Sequence, residues 1–188
     1  FILRIMKKIL SFTLAAVVLS GCSMFSGSDV PPQPMCPATG FMVDADTAAF
    51  FANADKKPTP EDIAVSAILK NINGACHTGG DRSSIDLTFD VVAQKADLAG
   101  DQDRQNLSYF IAVLGPGEEI LQRENFYATV VFEQDAKIGF VNEEHTVDIP
   151  LAPGAAVHQY SIVISFALTP EQLAFNRRYH YDLSKKQP

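Results

Sequence analysis

The stretch SIDLTFDV, residues 84–91, alternates without a slip. Ile85, Leu87, Phe89 and Val91 fall on one side and Asp86, Thr88 and Asp90 on the other, the two-residue period of a strand with one dry and one wet face. A dry face of this kind has to be covered, and the chain supplies further runs of the same sort. Strands are predicted at 63–71, 107–114, 120–126, 127–133, 137–142, 146–151 and 157–168. In the last of these Tyr160, Ile162, Ile164, Phe166 and Leu168 form an apolar face opposite Ser161 and Ser165.

Seven or eight strands at this spacing predict an all-β fold, a two-sheet β-sandwich of the immunoglobulin-like kind. GPGE, residues 115–118, sits between two runs and reads as a hairpin turn in which Gly supplies positive φ and Pro presets the bend. It lacks the Lys and the following helix of a phosphate loop. Near the end, LTPEQLAFNRRY predicts a short C-terminal helix: Thr169 caps, Pro170 takes the first position and Gln172 completes a capping box. Leu173 and Phe175 are expected to tuck it onto the sandwich. Arg177 and Arg178 suit its C-terminal end, and the tail 184–188 is expected to fray.

With 188 residues, 47% of them hydrophobic and 20% charged, the chain is long enough for one sizeable core and too short for two. Its charge of -7 averages two unlike parts. Arg4, Lys7 and Lys8 are the only charged residues among the first 21, which leaves 12 basic against 22 acidic residues beyond them, a net -10. An acidic body with no Lys/Arg cluster beyond pairs such as Lys56-Lys57, Arg177-Arg178 and Lys185-Lys186 has no electrostatic footprint for nucleic acid.

The basic start has its own logic. Met6-Lys7-Lys8 is a short positive segment, residues 9–20 an apolar run of about a dozen residues, and Ser20-Gly21 a small pair before Cys22, the layout of a secretory signal. The run is shorter than the roughly 20 residues of a spanning helix. Residues 1–5, ahead of Met6, read as upstream translation. Leu19-Ser20-Gly21-Cys22 resembles the lipobox of bacterial lipoproteins. The resemblance implies that Cys22 is diacylated, becomes the first residue after cleavage and is N-acylated as well. Two or three acyl chains anchor stably where one does not. Within that family an Asp after the cysteine favours inner-membrane retention; Ser23 here implies transfer to the outer membrane, with the protein facing the periplasm.

Residues 23–35, SMFSGSDVPPQPM, are rich in Ser, Gly and Pro and bury too little apolar area to repay ordering, so a mobile tether is expected. The domain plan is therefore a signal peptide with upstream residues at 1–21, a lipid-anchored tether at 22–35 and one sandwich domain at 36–188.

With Cys22 acylated, Cys36 and Cys76 remain, and an oxidising compartment favours a disulfide between them. A metal site using Cys36, Cys76 and His77 lacks the paired spacing of zinc ligands. No cofactor is implied. The chain has no G-x-S-x-G, no H-E-x-x-H and no Rossmann glycine pattern. His77, His145, His158 and His180 lie far apart and read as surface or strand-edge residues, although a fold can assemble a site from distant strands. Asp97, Asp101, Asp103 and Asn106 form an oxygen-rich loop, but counting from Asp101 the sixth position is Asn106 and the twelfth Ala112, where a calcium loop needs Gly and Glu. A solvated connector is the expectation. Adjacent aromatics, Tyr109-Phe110 and Phe126-Tyr127, must point to opposite faces of a strand. One of each pair therefore faces outward, toward a protein or peptidoglycan partner, a covering loop or the C-terminal helix.

From CPATGFMVD through YFIAVLGPGEEIL to SFALTPEQLAFNRR the layout is also similar to a group of uncharacterised proteobacterial outer-membrane lipoproteins. That similarity implies the domain definition and no activity. Three function classes stay open: a lipid-anchored, non-catalytic binding or scaffolding module of the envelope; an envelope enzyme or small-ligand carrier with a site gathered from scattered residues; and self-assembly through an exposed strand edge.

Overall fold

The computed structural model describes residues 36–52, 57–79 and 82–184. The signal, Cys22, the tether and the tail 185–188 lie outside the described residues.

Eight strands form two four-stranded sheets. In chain order they are β1 (Ala38–Phe41), β2 (Thr47–Phe51), β3 (Ile63–Gly79), β4 (Arg82–Lys95), β5 (Arg104–Leu114), β6 (Ile120–Val131), β7 (Ile138–Ile149) and β8 (Ser161–Phe166), followed by the helix α1 (Pro170–Ser184). The first sheet has the order β1-β8-β5-β6, with β1 parallel to β8 and the other neighbours antiparallel; the second is β2-β3-β4-β7, antiparallel throughout. This is the sandwich that the alternation predicts.

The core is the sum of the inward positions. β4 contributes Ile85, Leu87, Phe89, Val91 and Ala93; β5 contributes Leu107, Tyr109, Ile111 and Val113; β8 contributes Ile162, Ile164 and Phe166. Phe89 is fully enclosed and meets Phe41 and Tyr109 edge-on at ring distances of 6.2 and 5.5 Å.

Several boundaries differ from the sequence reading. β3 runs on past Asn71 because Asn71 takes a positive φ of 56° and opens a bulge between Lys70 and Asn73. The extra residue reverses the alternation. Val65, Ala67 and Leu69 face inward before it, and Ile72, Gly74 and Cys76 pack toward the core side after it. A side chain on Gly74 would sit 2.9 Å from Ile85 Cδ1, so the position is kept open for its neighbour. The two runs expected at 120–126 and 127–133 merge into β6 (Ile120–Val131), and those at 137–142 and 146–151 into β7 (Ile138–Ile149). The expected strand 157–168 starts only at Ser161, after a 3-10 turn at Val157–Gln159. In the 115–118 turn it is Glu118, not a glycine, that holds the positive φ, 62°.

Cys36 and Cys76 are joined by a disulfide across 40 residues, with Cα atoms 5.7 Å apart. Closing a loop of that size stabilises a fold by about 4 kcal/mol in the chain-entropy view. The bond leaves no thiolates for a metal site with His77.

Helix α1 carries the expected capping box: Thr169 N–H donates to Gln172 Oε1 at 2.9 Å, and Gln172 N–H donates to Thr169 Oγ1 at 3.2 Å. Phe175 is buried against Phe51, ring centres 4.9 Å apart. Arg177 and Arg178 fall mid-helix, since the helix continues to Ser184, and so are not at its C-terminal dipole.

The same helix closes one edge of the second sheet. Gln172 Nε2 donates to the Ala49 carbonyl at 2.8 Å, and Asn176 Nδ2 donates to the carbonyls of Thr47 and Asp44, each at 2.8 Å. Four residues of helix rise about 6 Å and two residues of strand about 6.8 Å, so side chains at i and i+4 match alternate edge carbonyls. An edge strand left open is a template for another chain. Replacing Asn176 with Ala strands two carbonyls beside a buried position and is expected to lower stability by about 1–3 kcal/mol in urea unfolding.

Candidate functional site

Three places among the described residues bring chemically capable side chains together. The first lies at the edge formed by β6 and β7. β7 places Glu143 opposite Phe89 and His145 opposite Leu87, so both point inward from an edge strand. Tyr109 reaches them from the core of β5: its hydroxyl donates to Glu143 Oε2 at 2.5 Å and lies 2.7 Å from His145 Nε2. With the Tyr109 hydroxyl proton directed at Glu143, His145 Nε2 is the donor to Tyr109 Oη. His145 and Glu143 side chains are 13% and 17% exposed and 3.6 Å apart. The His145 ring packs between Phe89, at 5.9 Å, and Phe126, at 4.3 Å.

Burial first, then the hydrogen bond and the charge of Glu143, push the Tyr109 phenol far above its ordinary value. A phenol held in its neutral form by the fold adds stability that is complete below the ordinary tyrosine pKa and lost as pH rises above it. Alkaline titration followed by tyrosinate absorbance is thus expected to leave Tyr109 silent until the domain unfolds. A titration that reaches all five tyrosines of the chain in the folded state would contradict this.

The hollow beside His145 measures only about 80 Å³ and is walled by Ile111, Val113, Phe126 and Val147, with Gln122, Glu124 and Asp148 at its mouth. Ligand sites run to about 300–1,000 Å³. Inward charges on an edge strand repel an incoming strand. The cluster accordingly reads as a satisfied polar seam that closes this edge.

The second place is a trough of about 430 Å³ on the outer face of the second sheet. Its floor is Ala49, Ser66, Ile68, Val92 and Gln94, one wall is Phe175, Asn176 and Tyr179 of α1, and Ile138 stands at the far side. Cross-strand register extends this apolar band onto β7, because Ile68 faces Val92, and Val92 faces Phe140. Ile138 and Phe140 are 59% and 70% exposed. Contiguous exposed apolar surface of this kind marks an interaction site.

The third place is a polar hollow of about 410 Å³ that Asp97, Asp101 and Asp103 line with Lys95, Glu133, Asp135 and Lys137, whereas the other histidines lie apart. His77 Nε2 lies 2.8 Å from Asp86 Oδ2 on the wet outer face, where Thr146 also donates to Asp86 at 2.7 Å; Thr146 and then His77 hold Asp86 below its ordinary pKa. His158 falls in the 3-10 turn, and His180 in α1. Asp97 is paired with Lys137 at 2.6 Å and Asp103 with Arg104 at 3.1 Å; both carboxyls are held low by those bonds. Among the described residues no group of three or more His, Cys, Asp and Glu is placed to hold a metal ion. The outward aromatics were expected from adjacency: Tyr127 is 80% exposed, whereas Phe110 is half-buried under the Arg123 guanidinium, 3.9 Å from its ring centre.

A family model for the prokaryotic membrane lipoprotein lipid attachment site matches residues 6–23, a span that includes Cys22. The chain therefore carries the signal of a lipid-anchored envelope protein, attached to a membrane by acylation. Neither a curated protein nor a solved structure matches the chain.

Proposed function

We propose that this protein is a lipid-anchored, non-catalytic binding module on the periplasmic side of the outer membrane. Cys22 carries the lipid, residues 22–35 serve as the leash and the sandwich from Cys36 onward does the binding. Ser23, in place of the Asp that favours inner-membrane retention, supports the outer membrane. The observation that carries the binding role is the trough between α1 and the second sheet, continuous with the exposed Ile138 and Phe140. The buried Tyr109-Glu143-His145 seam, with its small hollow, supplies no comparable room for a substrate.

A photo-crosslinking residue introduced in intact cells at position 140, and separately at the exposed Asn125 on the other sheet, tests this reading. Adducts with one envelope component from position 140 and none from position 125 are expected. Equal labelling from both positions, or none from either, would count against a binding module that uses this face.

A further inference from the structure

Resting on the reading of the trough as the binding surface, we propose that its ligand is a long-chain fatty acid, with the hydrocarbon lying across β3 and β4 toward β7 and the carboxylate on Lys70. Among the described residues Lys70 is the one charged side chain lining the trough, in a chain with 22 acidic against 15 basic residues. A site with one cation, no acid and an otherwise largely apolar lining complements a long apolar ligand with one negative end.

Asp90, the cross-strand partner of Lys70, is turned to other groups: it accepts from Asn71 Nδ2 at 2.7 Å and from Asn142 Nδ2 at 2.9 Å. Among the described residues the Lys70 ammonium has no side-chain hydrogen bond and no ion pair, its backbone alone pairing in the ladder with β4. An ionised carboxylate entering an apolar site needs such a partner, because an unpaired charge is strongly disfavoured there.

The floor favours hydrocarbon over peptide. Its backbone groups are consumed by the ladders of β2, β3, β4 and β7, so an extended peptide finds no main-chain partners on the face. Strand addition at the β2 edge is closed by Gln172 and Asn176, which already occupy the Ala49 and Thr47 carbonyls. Three strand spacings of about 4.8 Å give a run of about 14 Å from β2 to β7, an elongated shape that suits a chain. A domain tethered at a bilayer also meets acyl chains at high local concentration.

The test uses the full-length lipidated protein reconstituted in dioleoylphosphatidylcholine vesicles, with a diazirine-bearing palmitate as probe and peptide mapping by mass spectrometry. Adducts are expected on the peptides of β3 and β4 that contain Ile68 and Val92, and unlabelled palmitate should displace the probe. Ile68→Glu should cut labelling by about tenfold or more, since it sets an unpaired charge against the hydrocarbon. Lys70 is exposed, so Lys70→Glu should fold and still lose labelling, while Lys70→Arg keeps it.

Hexadecanol, with a tail of the same length and no carboxylate, should compete poorly. Equal competition by hexadecanol, labelling that does not saturate, or labelling indifferent to Lys70→Glu would overturn the proposal. Absence of palmitate adducts while position 140 still captures its envelope component would remove the fatty acid alone. Loss of both would remove the binding reading as well.

Discussion

Cys22→Ser is expected to move the protein wholly from the membrane fraction to the soluble one. The family-model match at residues 6–23 covers this cysteine, the proposed attachment point, and acyl chains contribute about 0.8 kcal/mol for each buried methylene, so two or three of them would dominate every weaker contact with the bilayer. No helix among the described residues is long and apolar enough to cross a membrane. Cell fractionation with intact-mass measurement checks it: wild type should show an acylated N-terminal cysteine at residue 22, and the variant should show neither the acyl mass nor membrane retention. Retention of the variant at wild-type level would place the anchor elsewhere.

Phe89→Ala should be the most damaging of the core truncations, at about 3–5 kcal/mol. The ring lies at the centre of the sandwich, with no exposed surface, edge-on to Phe41 in the first strand and to Tyr109 across the core, and stacked on His145. Its removal opens a cavity and also frees the histidine that completes the polar seam at β7. For a domain of this size the loss corresponds to a fall in Tm of roughly 6–20 °C. Urea unfolding should show a lowered midpoint with an unchanged slope, and a cost under about 1 kcal/mol would mean that the site collapses around the gap.

The parts of the fold with clean alternation were legible, β4 and β8 above all, because their inward positions are uniformly apolar. The edges were not. On β6 the inward positions include Gln122 and Glu124 while Leu121, Tyr127 and Val131 face out, and on β7 Glu143 and His145 face in while Ile138 and Phe140 face out. Edge strands invert the usual pattern because inward charge there repels unwanted pairing, and such inversion reads as a break. β1 and β2 are hidden for a different reason: ATGF and TAAFF are only four and five residues long and show no alternation, and long-range pairing makes them strands. The continuation of β3 was hidden by the phase reversal at Asn71.

The sequence reads the histidines singly as surface or strand-edge residues: His77 lies on the exposed outer face, and His145 lies on the edge strand β7 with its side chain turned inward. Its burial depends on Tyr109, 36 residues away in sequence. The trough was likewise invisible, since it is made where a helix from the end of the chain settles beside the second strand; only the tuck of Phe175 was foreseeable.

The disulfide also sets the path along which the domain bears load. The first strand is four residues long and is held only by β8 alongside it, a ladder that tension applied at residue 36 would peel apart one bond at a time. Because Cys36 is bonded to Cys76, a pull transmitted from the bilayer bypasses that ladder and enters the long β3–β4 hairpin, where many backbone bonds must shear together. Envelope motion or turgor would thus load the β3–β4 ladder from its Cys76–Ile85 end, the end away from the Ser66–Gln94 and Ile68–Val92 pairs that floor the trough.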